Sequence, residues 1–256
     1  MQSQRTDHRP RAFDRVVKRL LMIGLGLGCA LPASAAEFSI NPLRIDLVPG
    51  ERSSAVGISN SDQRPIRFQL TLVEWTQDAD GKDVYRDSDD LIYFPRLFSV
   101  APGEQAMVRV GPKRPHAGAE RTYRLLIDEL PDTNEKLTTS GVRFHIRFAL
   151  PIFVGPSAVK AQAVMEPLSM EGGKLRALVK NMGSTNFRIE ALELTGDNGY
   201  SQRVDGWYLL AGRSRWYSLD VPKAACLATR HLELKAKTGE QDFSAGLDVA
   251  PAMCGP

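Results

Sequence analysis

The sequence predicts an all-β protein built from two β-sandwiches in tandem, and three observations carry the prediction. Past residue 37, apolar and polar residues alternate in short runs rich in β-branched and aromatic side chains, the period of strands. These runs are fenced by Pro, Gly, Asp and Asn, and no stretch of about ten residues or more has the apolar stripe of an amphipathic helix. The runs also fall into two series, with a break at Gly155-Pro156-Ser157. Short strands at this spacing are what a sandwich of immunoglobulin type requires. The expected organisation is a signal peptide over 1–36, one sandwich domain over 37–156 and a second over 157–256.

At the N-terminus, Arg5, Arg9, Arg11, Arg15, Lys18 and Arg19 precede the apolar stretch Leu20 to Leu31. That is a charged segment followed by the apolar core of a secretory signal, with Ala33-Ser34-Ala35-Ala36 at the spacing a signal peptidase reads. The mature chain is expected to begin at Ala36 or Glu37. The apolar stretch is too short to span a bilayer. Gly26 also stands where a lipobox around Cys29 would need a Leu-like residue. No later segment is apolar enough to cross a membrane, so no insertion is expected once the signal is removed.

The first series of strands reads Ser53 to Ser59, Arg67 to Trp75, Gln105 to Val110, Thr122 to Glu129 and Gly141 to Val154. Val48-Pro49-Gly50 and Ala101-Pro102-Gly103 precede two of them, and Asp78-Ala79-Asp80-Gly81 forms a hairpin tip. About seven strands fit before residue 155. The second series reads Ala161 to Met165, Leu175 to Asn181, Phe187 to Leu194, Trp207 to Leu210, Arg215 to Val221, His231 to Ala236 and Phe243 to Val249.

Composition excludes several functions. Residues 1–36 hold six of the 33 Lys and Arg and two of the 30 Asp and Glu, leaving 27 against 28. The basic balance therefore belongs to the signal, and a nucleic-acid partner has no support, since a phosphate-binding face needs a cationic excess. There is no Gly-x-Ser-x-Gly, His-Glu-x-x-His or phosphate-cradling glycine loop, so no enzyme and no cofactor is expected. His116, His145 and His231 are scattered, which argues against a metal cluster. Asp78, Asp80 and Asp83 resemble part of a calcium loop without its closing glutamate, and a hairpin turn explains them more simply. With Cys29 lost, Cys226 and Cys254 remain in a compartment that permits oxidation, giving either one disulfide or two buried free thiols. A bridge would add roughly 3 kcal/mol through loop closure.

Several motifs, in order along the chain, are similar to those of the periplasmic pilus chaperones of the chaperone-usher pathway. Arg44 stands near the first strand, ahead of Ile58-Ser59-Asn60. Val100-Ala101-Pro102-Gly103 leads to Met107-Val108-Arg109-Val110, and Thr122-Tyr123-Arg124-Leu125-Leu126-Ile127-Asp128-Glu129-Leu130-Pro131 follows. Gly173-Lys174-Leu175 through Val179-Lys180-Asn181 matches the opening strand of the second domain. The best-known branch carries a lysine before its Leu-Phe-Tyr-Arg-Pro run, whereas Leu150-Pro151-Ile152-Phe153-Val154-Gly155-Pro156 puts Pro151 in that slot. That departure and the segments Gly81 to Tyr85 and Asp90 to Phe98 resemble the archaic branch instead.

The resemblance implies two immunoglobulin-like domains in a boomerang arrangement, pilus subunits and an outer-membrane usher as partners, and the periplasm as location. It also implies a mechanism. A subunit lacking its last strand exposes an apolar groove and an open sheet edge, and the chaperone supplies the absent strand by β-augmentation. Val142, Phe144, Ile146 and Phe148 form an apolar row with period two, while Arg143, His145 and Arg147 occupy the other face. Burying those four side chains is worth about 1.5 to 3 kcal/mol each, or roughly 6 to 12 gross. Association costs subtract several kcal/mol. Arg44, binding the subunit's terminal carboxylate, would add about 1.5 to 3 kcal/mol and fix the register.

Other readings of the same residues remain open. The row can face its own core, as Leu150 and Ile152 near the junction are expected to do, and Arg44 can be a solvated side chain. Arg109 and Glu129 can form an internal ion pair. Trp75, Trp207 and Trp216 fit the core or the junction, but an exposed pair could bind sugar, which would make the protein a secreted adhesive or lectin-like module.

Overall fold

In strand β4 (Ile66–Gln77) the side that is buried changes partway along, and this change organises the molecule. Ile66, Phe68, Leu70 and Leu72 point into one core, and then Val73, Trp75 and Gln77 on the opposite face are buried too. A strand covered on both faces lies in a sheet that packs against something on each side. The computed structural model describes residues 38–115, 118–131, 145–155, 162–239 and 241–255. The expected signal peptide, His116, Val142 and Phe144 lie outside the described residues.

The first sandwich pairs two sheets. One has the order β1 (Phe38–Asn41), β3 (Ser54–Asn60), β8 (Gln105–Pro112) and β6 (Leu91–Phe94), all antiparallel. The other has the order β2 (Ile45–Leu47), β10 (Arg147–Val154), β9 (Arg121–Leu130), β4 and β5 (Asp83–Asp87), with β7 (Leu97–Val100) also on β4. Val56, Ile58, Val108 and Val110 from the first sheet meet Phe68, Leu72, Leu125, Ile127, Leu150 and Ile152 from the second. The chain changes sheets between β1 and β2, across Pro42 to Arg44.

The second sandwich repeats the plan. β13 (Lys174–Asn181) is flanked by β11 (Ala163–Met165) and β12 (Ser169–Glu171) on one side and by β17 (Ser214–Asp220) on the other. The facing sheet runs β15 (Ser201–Asp205), β14 (Phe187–Gly196), β18 (His231–Thr238) and β19 (Phe243–Asp248), with β16 (Tyr208–Leu209) on β14. A six-residue helix, α1 (Lys223–Ala228), and a single turn over Pro251–Met253 flank the last hairpin. Cys226 and Cys254 are joined as a disulfide within this second core. The chain is thus all-β in two immunoglobulin-like sandwiches.

The long strands lie close to their expected positions, except that the strand expected over Gly141 to Val154 is β10 from Arg147, with 141–144 outside the described residues. Among the described residues the first sandwich has ten strands where about seven were expected, because β1, β2, β6 and β7 have three or four residues each. So short a strand shows at most two residues per face, too few to establish a period.

The second buried face of the β4 sheet meets the second sandwich. Trp75, Phe153, Tyr208 and Leu210 form a separate cluster there, with Trp75 and Tyr208 edge to face at 5.4 Å and Phe153 and Tyr208 at 5.7 Å. Gln77 is buried and clasps the partner strand with both ends of its amide. Its Nε2 donates to the Tyr208 carbonyl at 2.9 Å, and its Oε1 accepts the Leu210 amide at 3.0 Å. The hairpin 78–82 adds a further contact, since Arg215 Nη1 donates to the Gly81 carbonyl at 2.9 Å. Gly81 has φ +80°, and a Cβ there would lie 2.6 Å from the Arg215 side chain, so turn and close approach both require glycine.

Candidate functional site

β10 has one margin paired and the other largely open. Against β9 it is bonded along its whole length, from Arg147 opposite Asp128 to Val154 opposite Arg121. On the other side β2 runs parallel to it only from Ile152 to Val154. From Arg147 to Pro151 that side has no strand among the described residues. Odd-numbered residues turn their backbone groups outward, as the Gly155 amide on the Leu47 carbonyl at 2.9 Å shows. Even-numbered ones turn toward β9, where the Ile146 carbonyl accepts the Glu129 amide at 3.0 Å.

The side chains grade along this edge. Leu150 and Ile152 are fully buried in the first core. Phe148 is half-buried against that core, and Ile146 is half-buried beyond it. His145, Arg147 and Ala149 on the other face are exposed. Arg147 is held by the Asp128 carboxylate, and the Ile146 amide is received by Glu129 Oε2 at 3.4 Å. Arg109 stands in the opposite sheet, and no Glu129–Arg109 pair occurs among the described residues.

Arg44 lies where the chain crosses between sheets, at the rim of a cleft of 420 Å³ that the two sandwiches share. Its Nε contacts both Asp46 oxygens at 2.9 and 2.7 Å, and its Nη2 donates to Oδ1 at 2.6 Å. The guanidinium lies 4.0 Å over the Phe153 ring, half-exposed, with Tyr208 as another neighbour. The cleft also holds Asn186, whose backbone and side-chain amides both donate to Glu120 Oε1 at 2.8 Å. Burial pushes the Glu120 pKa up, and the Asn186 bonds pull against it.

Pro151 faces Arg124 across the β9–β10 ladder. Arg124 is buried, with its guanidinium 3.8 Å over Trp75 and its Nη1 donating to the Ala149 carbonyl at 3.1 Å. Burial lowers its pKa, opposed by Tyr85 and Asp83. The tryptophans separate. Trp75 is core, whereas Trp207 and Trp216 are 36% and 42% exposed. Trp207 Nε1 donates to Asp83 at 2.9 Å, and Trp216 lies under Arg176. The Asp78 carboxylate accepts the Asp80 and Lys82 amides at 2.9 Å each, the bonding of a hairpin turn.

Sequence reasoning missed Gln77, Glu120 and Arg124. For the first there was a signal, a polar residue at the end of a strand whose apolar residues occupy both faces.

Two tandem immunoglobulin-type sandwiches, the first with an open-edged strand beside a cleft arginine, define a class of two-domain β-sandwich proteins. Residues 37–160 match the family described as pili and flagellar-assembly chaperone, PapD N-terminal domain. No curated protein matches the chain in sequence.

Solved structures share its fold beyond that segment. A chain of the CsuC–CsuE chaperone–tip adhesion subunit pre-assembly complex, from the archaic chaperone-usher Csu pili of Acinetobacter baumannii, is 21% identical with a TM-score of 0.61. The match covers 82% of this chain and 98% of that one. A chain of the Salmonella enterica SafA pilin–SafB chaperone complex is 17% identical with a TM-score of 0.56, covering 84% and 98%. The Pseudomonas aeruginosa CupB2 chaperone is 18% identical with a TM-score of 0.53, covering 83% and 100%.

Proposed function

We propose that this protein is a periplasmic chaperone of the archaic kind, which captures pilus subunits by lending them β10 and delivers them to an outer-membrane usher. The observation that carries the reading is the open margin of β10 from Arg147 to Pro151, next to an apolar row that loses its own cover toward Ile146. An incoming strand finds outward backbone groups on that margin, and its groove finds Ile146 and Phe148, with Val142 and Phe144 continuing the row in sequence. Phe148 already rests partly on the first core, so Ile146 gains more new burial on capture. Arg44 is the group proposed to receive the subunit's terminal carboxylate. The match of residues 37–160 to that chaperone domain supports the chaperone reading, and Pro151 in the lysine slot supports the archaic branch.

The test is co-expression with secreted subunits encoded beside the chaperone, followed by affinity purification. Ile146→Asp is expected to abolish recovery of the subunit while leaving the thermal midpoint of the chaperone within a few degrees of wild type. Phe148→Asp is expected to lose the subunit and also some stability, because part of that ring is core. Undiminished recovery with Ile146→Asp would sink the reading, as would unfolding of Ile146→Asp as severe as that of Phe148→Asp.

A further inference from the structure

Arg44 by itself does not give the cleft a free positive charge, because its bidentate pair with Asp46 is locally neutral. The opposite wall holds a second guanidinium. Arg188 of β14 lines the same cleft, is exposed, and has no ion-pair partner among the described residues. It stands across the ladder from Tyr208, with its guanidinium 5.5 Å from the centre of that ring. Tyr208 is also a neighbour of Arg44 and lies 5.7 Å from Phe153, on which Arg44 rests. Two arginines, one from each sandwich, therefore flank one buried pair of aromatic rings.

Two of the acidic groups around them have partners. Asp46 is bound to Arg44, and Glu120 is held by the Asn186 amides. Glu190, two residues along β14 from Arg188, lines the cleft too, with its Oε1 on the side of Gly239. The Asp46 pair uses Nε and Nη2 of Arg44, so part of the fork is left for a second acceptor. A carboxylate arriving there would meet Arg188 on its other side.

We propose that Arg188 is the second cation of a carboxylate-binding site, so that a polypeptide paired along β10 ends in this cleft with its terminal carboxylate between Arg44 and Arg188. Capture then bridges the two sandwiches, and the second sandwich contributes directly to binding. This rests on the reading of β10 as a donated strand. Pro151 offers no cation, and Arg188 supplies from the far wall the charge absent from that position.

The experiment compares one co-purifying pilus subunit made by semisynthesis with either a free C-terminal carboxylate or a carboxamide, titrated against wild-type chaperone, Arg44→Ala, Arg188→Ala and Arg188→Lys. Wild type is expected to prefer the carboxylate about 10- to 100-fold, the worth of one charge-assisted bond. Arg188→Ala should lose most of that preference with its thermal midpoint unchanged, since the side chain is exposed, and Arg188→Lys should keep part of it. If Arg44→Ala loses the preference and Arg188→Ala retains it in full, the role of Arg188 is overturned while the donated strand stands. If wild type binds both forms equally, the carboxylate site is overturned. If no subunit is captured at all, the failure lies with the donated strand itself.

Discussion

A carboxylate pressed between two sandwiches is costly to keep ionised, and Glu120 is in that position. Burial raises its pKa, the Asn186 amides and the Arg44 charge only partly oppose the shift, and Asp46 adds a smaller repulsion. An acid whose folded pKa lies above its unfolded value contributes stability that is complete below the unfolded value and is lost as pH rises through the folded one. Glu120→Gln removes the ionisation and keeps an oxygen for Asn186. The variant is therefore expected to gain stability over wild type at pH 7, with the gain shrinking toward pH 4. Urea unfolding of both proteins across that range checks it, and a difference that stays flat or widens on acidification would refute the assignment. At this scale the sequence was only partly readable. Arg44 was visible through its distance from Ile58-Ser59-Asn60, and its partner was implicit, since residues two apart on an extended chain share a face. Glu120 and Arg188 were not visible, because their neighbours come from the other sandwich and no local pattern encodes them.

Under the donated-strand proposal, β10 must pair with a foreign chain and also avoid pairing with its own kind. β10 addresses this with Pro151, which has no N–H to offer at an outward-facing position of the margin, and with Arg124, which occupies the Ala149 carbonyl. Pro151→Val restores the donor without removing a ladder bond to β9. The variant is expected to keep its stability to within about 1 kcal/mol, the usual backbone-entropy effect of losing a proline. It should also shift toward higher mass than wild type in sedimentation at equal concentration. A variant that stays at the wild-type mass while losing several kcal/mol would show that Pro151 serves packing alone. Long strands such as β4, β9 and β14 were legible because each carries several same-face apolar residues. The burial of β10 on both faces beyond Leu150 was not, since a continuous apolar run gives no indication of which side meets which core.

The two sandwiches are joined by the Trp75–Phe153–Tyr208–Leu210 cluster and by the polar clasps of Gln77, Arg215 and Glu120. The sequence places an expected division at Gly155-Pro156-Ser157, but the joint could not be read, because it depends on which faces of distant strands meet. The disulfide lies away from that joint. It ties α1 to the turn after β19, Cys226 and Cys254 are 28 residues apart, and both sulfurs are buried in the second core. Closing a loop of that length stabilises by about 3 to 4 kcal/mol on the chain-entropy account. For a domain of about 100 residues this corresponds to roughly 15 °C in midpoint. Cys226→Ala combined with Cys254→Ala is therefore expected to lower the melting of the second sandwich by that order and leave the first nearly unmoved, splitting the calorimetric trace into two transitions. Reduction of the wild-type protein should reproduce the split without the small cavities that alanine leaves. A single transition that moves as a whole would mean that the aromatic cluster and its clasps couple the sandwiches more strongly than the disulfide stabilises either. In that case a lesion in the second core would weaken subunit capture on β10 even though it touches no residue of that strand.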